Sequence, residues 1–253
     1  MHAWFVSDIH IKSDSEPRAQ QLIQFLKSLG FERQATHLFF LGDIFDIWVG
    51  NSDFFINRYE KVLTAIIDLK KRGVEVHYFE GNHDVYVSGF WEKYGVTTHE
   101  QGALVRLASW NLYLDHGDYI NPDDTTYLKW LQIMRSNPMR FLATTLPGIF
   151  WGKLGEYASR KSRQASRRKR LDLEDFLREK LRTYAKIMGQ KIDFDFLITG
   201  HIHIQDDYTF TKASGRKVRS INLGSWFEDV KVFYLDEVGG SWVDLGESAP
   251  TEN

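Results

Sequence analysis

Apolar runs in this chain stop, time after time, at a side chain able to bind a metal. Phe5-Val6-Ser7 leads into Asp8-Ile9-His10, Phe40-Leu41-Gly42 into Asp43, Phe79-Glu80-Gly81 into Asn82-His83-Asp84, Leu114-Asp115 into His116-Gly117-Asp118, and Ile198-Thr199-Gly200 into His201-Ile202-His203. If each run is a strand, side chains at its carboxyl end converge on the crevice where open α/β sheets bind ligands. Residues two apart in an extended chain point to the same side, so Asp8 with His10, and His201 with His203, each aim as a pair at one cluster. A single Asp or Gly-Asp after a strand is ordinarily a turn or a helix cap. Five such endings in succession are poorly explained that way.

The rest of the pattern fits an α/β fold. Strands are expected at Ala3 to Ser7, Leu38 to Gly42, Glu75 to Glu80, Asn111 to Asp115 and Phe194 to Thr199. Helical spacing of apolar residues marks Pro17 to Leu29 and Phe54 to Lys71. Hairpin strands follow at Tyr208 to Thr211, Lys217 to Leu223, Val230 to Leu235 and Ser241 to Leu245, with turns at Ser214-Gly215 and Gly239-Gly240. Two stacked sheets flanked by helices, forming a single domain over residues 1–253, account for this order. From about Asp123 to Gln190 the pattern is helical only, with Pro138 and Pro147 as boundaries, so residues 123–190 are expected to form a helical insertion or cap.

Cysteine is absent, which leaves Asp, Glu, His, Asn and water as metal ligands and suits manganese, iron, magnesium or zinc. The seven candidates Asp8, His10, Asp43, Asn82, His116, His201 and His203 are too many for one ion with open positions. They suit two ions sharing a carboxylate, and Asp43, the lone carboxylate between Asp8 and Asn82, is the natural bridge. Such a pair lowers the pKa of a bound water towards about 7 and stabilises both oxygens of an in-line displacement, so hydrolysis of a phosphoester or phosphoanhydride is expected. The 34 acidic and 32 basic residues leave a net charge of −2, which gives no sign of a general nucleic-acid binder. No stretch approaches the roughly 20 apolar residues of a membrane-spanning helix, and a cytoplasmic protein is expected.

At these residues the sequence resembles the calcineurin-like metallophosphoesterases, whose pattern runs D-x-H, G-D, G-N-H-D, a later His, and G-H-x-H. The likeness extends from Trp4 to about Leu235. It implies a four-layer αββα sandwich, a first metal on Asp8, His10, Asp43 and His203, and a second on Asp43, Asn82, His116 and His201, with manganese as the usual ion. It also gives catalytic roles to Asp43, Asn82, His83 and His116. Within the family, Leu41 to Gly50, His116-Gly117-Asp118 followed by Asp123, Asp124 and Tyr127, and the helical insertion are similar to the UDP-2,3-diacylglucosamine hydrolase branch. That branch cleaves a nucleotide-linked lipid A precursor to UMP and 2,3-diacylglucosamine 1-phosphate. The likeness implies substrate contacts from Asn82, His83, Asp124, Tyr127 and His201, and from insertion residues matching Ser162, Ser166 and Lys169. The branch usually has Arg where this chain has His83 and Thr where it has Ile202; a titratable ring is not equivalent to a guanidinium at a phosphate. Another nucleotide or nucleotide-sugar substrate is the enzymatic alternative, and a non-catalytic interaction scaffold the alternative from another class.

Seven cations and no acid fall between Arg160 and Arg170, directly after an apolar, aromatic run that includes Phe141, Leu142, Ile149, Phe150, Trp151 and Leu154. A solvated helix face beside an ordinary helical hairpin is the plain explanation. Next to a dinuclear site, the apolar residues suit acyl chains and the cations suit a diphosphate or an anionic membrane surface. Contact with the inner face of the inner membrane is therefore expected, whereas nucleic acid is not, since no nucleic-acid motif accompanies the run. His2, His37, His77 and His99 are expected to be surface or half-buried residues, and Trp48, Trp130 and Trp226 to pack. Asp46, Asp84 and Asp118 suit either orientation of imidazoles or helix capping.

Overall fold

A computed structural model describes residues 1–227 and 229–247, with the side chains of Phe31 and of residues 156–172 outside the description. In chain order the elements are β1 (Ala3–Val6), α1 (Pro17–Phe31), β2 (His37–Leu41), β3 (Trp48–Val49), α2 (Asp53–Arg58), α3 (Glu60–Lys71), β4 (Glu75–Phe79), β5 (Asp84–Val85), α4 (Ser88–Trp91), β6 (Thr97–His99), β7 (Ala103–Leu107), β8 (Trp110–Asp115), α5 (Thr125–Met134), α6 (Asn137–Thr145), α7 (Gly148–Lys191), β9 (Phe196–Thr199), β10 (Gln205–Thr211), β11 (Lys217–Leu223), β12 (Asp229–Leu235) and β13 (Gly240–Glu247). One sheet has the order β13-β12-β1-β2-β4-β6 and a second the order β10-β11-β9-β8-β7, while β3 and β5 pair separately. Parallel pairing joins β1, β2, β4 and β6 in the first sheet and β8, β9 and β11 in the second.

Side-chain alternation in β1 explains the layering. Ala3 and Phe5 join Phe39, Leu41, Phe79, Leu114, Ile198, Ile221 and Phe233 in a core between the sheets. Trp4 and Val6 instead pack with Leu22, Leu26 and Leu29 of α1 and Val62, Ile66 and Leu69 of α3. With both faces buried, the strand reads as a continuous apolar run. On the far side, Ala185 of α7 packs with Phe194, just ahead of β9, and with Leu197 and Val218 of the second sheet. The outcome is the expected four-layer αββα sandwich.

Several elements differ from expectation. Phe54 to Lys71 is two helices, because Tyr59 leaves helical geometry (φ −118°, ψ 20°) and is pinned in the core by its hydroxyl donating to the Ile47 carbonyl at 2.9 Å. In β7 the inward residues Ala103, Val105 and Leu107 alternate with an outward, exposed Leu104, which hides the period of two. β6 is the polar Thr97-Thr98-His99, a strand only because β4 pairs with it. The strand expected from Phe194 starts at Phe196. Trp48 and Trp226 are buried as expected, but Trp130 is 41% exposed on α5 and does not pack as a core residue.

Between β8 and β9 the chain forms α5, α6 and α7, the last of 44 residues. The Asp124 carboxylate caps α5 by accepting from the Tyr127 N–H at 3.0 Å, Pro138 occupies the first turn of α6, and Pro147 precedes α7. These are the positions at which Asp and Pro favour helix starts. Among the described residues, no helix is long and apolar enough to cross a membrane.

Candidate metal centre

The ends of β1, β2 and β4 in one sheet and of β8 and β9 in the other bring the expected residues together in two groups: Asp8, His10 and His203, and Asp43, His116 and His201, with the ligand atoms of each group within 4.8 Å of one another. One oxygen of Asp43 faces both: Oδ2 lies 3.8 Å from Nε2 of His10 and 3.6 Å from Nε2 of His116. Asn82 adds its Oδ1, 3.3 Å from Nε2 of His116 and 3.1 Å from Nδ1 of His201. In the first group, Nε2 of His203 lies 3.3 Å from Oδ1 of Asp8 and 3.0 Å from Nε2 of His10.

The backbone supports this convergence at a cost. Asp8 (φ 51°), His10 (φ 54°), Asp43 (φ 54°) and His201 (φ 65°) all adopt left-handed conformations, which non-glycine residues hold only where surrounding structure imposes them, often at functional sites. Two glycines allow the loops to meet. A Cβ on Gly81 would stand 2.1 Å from Oδ1 of Asp43, and one on Gly200 would stand 2.3 Å from Oδ2 of Asp8.

Further hydrogen bonds aim the ligands. The Nδ1–H of His116 donates to the Leu41 carbonyl at 2.7 Å, which leaves the Nε2 lone pair for the cleft. His83 directs Nδ1–H to the Asp46 carbonyl at 2.7 Å, and its backbone N–H donates to Oδ1 of Asp43 at 2.9 Å. The two sheets are joined by the His201 N–H, which donates to Oδ2 of Asp8 at 2.9 Å. The ring of Phe227 stacks on His10 at 5.4 Å and carries the Arg18 guanidinium on its face at 4.4 Å.

Charge in the cluster calls for a cation. Burial opposes a charged His116, yet the carboxylates of Asp43, Asp118 and Asp8 push it up to about 9. Burial also opposes ionisation of Asp8, but His203 holds that carboxylate below the usual range. His10 is pushed well down, first by burial and then by the charge of its neighbouring histidines; burial and His116 lower His201 too. The Oδ1 of Asp8 is fully buried, and its ionic contact with His203 at 3.3 Å leaves it facing the cluster. A buried carboxylate oxygen and converging ring nitrogens form a donor set that fits divalent metal ions, by the hard oxygen and imidazole character of the ligands.

His83 and Asp46 form a third group with His10. Tyr127 tilts against the His201 ring at 5.1 Å, while Asp124 sits at the exposed start of α5. Ser162, Ser166, Lys169 and the basic run from Arg160 to Arg170 have side chains outside the described residues. Asn222 escaped assignment from the sequence. Its Nδ2 donates to the Gly200 carbonyl at 2.7 Å and so holds the loop carrying His201, a backbone contact that no residue spacing announces.

Two sheets delivering such a ligand set from their strand ends define a metal-dependent hydrolase. The family model for calcineurin-like phosphoesterases matches residues 1–205, and the chain belongs to that family. It is 26% identical over 242 residues to a protein of Vibrio parahaemolyticus named UDP-2,3-diacylglucosamine hydrolase, covering 94% of this chain and 96% of that one. To the protein of the same name from Neisseria gonorrhoeae it is 28% identical over 250 residues, covering 95% and 97%. Among solved structures, Vps29 from Entamoeba histolytica complexed with zinc matches with a TM-score of 0.43 at 14% identity, covering 97% of this chain and all of that one.

Proposed function

We propose that this protein hydrolyses the diphosphate of UDP-2,3-diacylglucosamine to UMP and 2,3-diacylglucosamine 1-phosphate, a step of lipid A biosynthesis. The observation that carries the chemistry is the pair of ligand groups meeting at one oxygen of Asp43. The substrate is inferred from the relatives that bear its name, matched over nearly their whole length. Asp8, His10, Asp43 and His203 would hold one ion and Asp43, Asn82, His116 and His201 the other; manganese is the ion we assign. Bound there, two divalent ions supply Lewis acidity to the phosphoryl oxygens and lower the pKa of water towards about 7.

The protein's own residues orient the reaction. We assign Asp43 and Asn82 to the reacting phosphate; their loops are locked to each other, since the Asp43 carboxylate also accepts from the His83 N–H. With Nδ1–H committed to Asp46, His83 presents Nε2 to the cleft. Burial disfavours its charged form, but Asp43 and Asp46 raise its pKa above the ordinary value, so Nε2 can hold a proton for the departing phosphate oxygen. His83 thereby takes the place of the guanidinium common in the branch.

The lipid end would lie along the insertion. Ile133 of α5, Phe141 of α6, and Ile149, Phe150 and Leu154 of α7 are half or more exposed, Phe141 by 67%. Each buried acyl methylene gains about 0.8 kcal/mol, which favours covering this surface with acyl chains or the membrane's inner face. Asp124, Tyr127, Ser162, Ser166 and Lys169 are assigned to the sugar and phosphate. Manganese-loaded protein incubated with UDP-2,3-diacylglucosamine should release UMP. Cleavage of an aryl phosphodiester without UMP release would move the substrate elsewhere in the family, and cleavage of neither would overturn the reading.

A further inference from the structure

Asp118 stands beside the metal centre without belonging to either ligand group. It is buried, and its Oδ1 accepts from the Tyr127 hydroxyl and lies 4.0 Å from Nδ1 of His201. Its Oδ2 accepts from Nη2 of Arg135 at 2.6 Å. Arg135 also donates Nη1–H to the Glu100 carbonyl at 2.6 Å, and the Glu100 carboxylate pairs with Arg140 at 2.5 Å. The Arg140 guanidinium in turn lies over Tyr86 at 4.8 Å. These contacts fasten α5 and α6 to the turn between β6 and β7. Behind the Asp118–Arg135 pair opens a cavity of about 600 Å³, lined also by Tyr113, Ile120 and Tyr184. Hydrogen bonds rather than packing therefore hold the carboxylate on that side.

We propose that Asp118 is a positioning residue for the second metal ion, and that Tyr127 and Arg135 hold it in place, so that seating of the α5–α6 segment sets the affinity of that ion. The inference rests on the two-metal reading above. A carboxylate so close to His201, outside the ligand set, attracts a dication without occupying a coordination position. Its two oxygens are held by the Tyr127 hydroxyl and the Arg135 guanidinium, and the Tyr127 ring against His201 limits the swing of that imidazole. Outer partners of metal ligands are commonly worth 10–100-fold in metal affinity.

The test is a manganese titration of metal-free protein, followed by calorimetry and by electron paramagnetic resonance of the bound ion, with melting of the metal-free proteins alongside. Wild-type protein should take up two equivalents. Asp118→Asn, which keeps shape and loses charge, should weaken the second equivalent roughly 10–100-fold and leave the affinity of the first unchanged, whatever the metal-free melting temperature loses with the Arg135 ion pair. Arg135→Met should weaken the same equivalent, and Arg135→Lys should restore most of it. Two equivalents at wild-type affinity in both Asp118→Asn and Arg135→Met would overturn the proposal. So would equal loss of both ions together with lower metal-free melting, the mark of a purely structural fastening. Wild-type protein that binds fewer than two equivalents would instead bring down the two-metal reading and this inference with it.

Discussion

The carboxylate of Asp84 accepts from the backbone N–H of Asp43 at 3.0 Å, of Ile44 at 2.8 Å and of Gly81 at 2.9 Å, and from the Tyr78 hydroxyl at 2.6 Å. A single buried side chain thus ties the loop after β2 to the loop after β4. Burial and the nearby Asp43 charge raise its pKa, a cost offset by those donors. Asp84→Ala strands three buried N–H groups, each costing about 1–3 kcal/mol, so a loss of at least about 3 kcal/mol is expected in urea unfolding. Asp84→Asn, with one acceptor oxygen left, should fall between; a loss under about 1 kcal/mol for Asp84→Ala would refute this role. Gly81→Ala should retain the fold's secondary structure by circular dichroism but bind fewer than two ions, because its Cβ would stand 2.5 Å from the Asp43 nitrogen. Wild-type stoichiometry in that variant would show that the loops can yield. The sequence makes Asp84 visible as a letter beside the ligands, but its partners are backbone amides, which carry no letter. Hence its alternatives, orienting an imidazole or capping a helix, could not be separated before the loops were seen together.

Histidines on three neighbouring strands form a row: Glu75 joins His37 at 3.3 Å and His77 at 3.1 Å, and Nδ1 of His77 meets Nε2 of His99 at 3.1 Å. Phe39 stacks on His77 at 4.7 Å and Phe79 on His99 at 4.2 Å. Burial, with the charge of His77 as a second cause, pushes His99 down from 6.5 to about 4, and burial lowers His77 and His37 too. Above 6.5 these groups are neutral in both folded and unfolded chains and add nothing. As pH falls through 6.5 the unfolded chain takes up protons that folded His99 refuses until about 4, so stability declines across that window. The slope of unfolding free energy between pH 6.5 and 4 should be shallower in His99→Asn; an unchanged slope would remove His99 as its source. The sequence already suggested that these histidines lie outside the metal cluster. What joins them is parallel register between β2, β4 and β6, and β6 shows no apolar alternation of its own. Strands that owe their existence to a partner, such as β6 and the two-residue β3 and β5, leave little local trace, whereas α1, with Pro17 at its start and Leu22, Phe25, Leu26 and Leu29 at helical spacing, shows itself.

Across the whole molecule, the ligand set is split between the sheets. Asp8, Asp43 and Asn82 follow strands of the six-stranded sheet, and His116, His201 and His203 follow strands of the five-stranded one. Direct bonds cross between them at this end from the His201 N–H to Asp8 and from His116 to the Leu41 carbonyl, set in a cluster whose charges favour a cation. This joint was legible in the sequence because all five ligand blocks end strands; that the blocks belong to two sheets was not, since periodicity says nothing about which strands share a sheet. Ions that bind across the joint bind only the folded state, and at 100 times the dissociation constant each site stabilises it by about 2.7 kcal/mol. At about 2–4 °C per kcal/mol for a domain of this size, saturation of each site should raise the melting temperature by roughly 5–11 °C. A chelator should reverse that shift. Ions held by this set would join the two sheets, so the shift should appear as one cooperative transition moving as a whole. Metal that leaves the melting temperature unchanged, or that moves only part of a divided transition, would mean that the ligands do not bridge the sheets as the geometry requires.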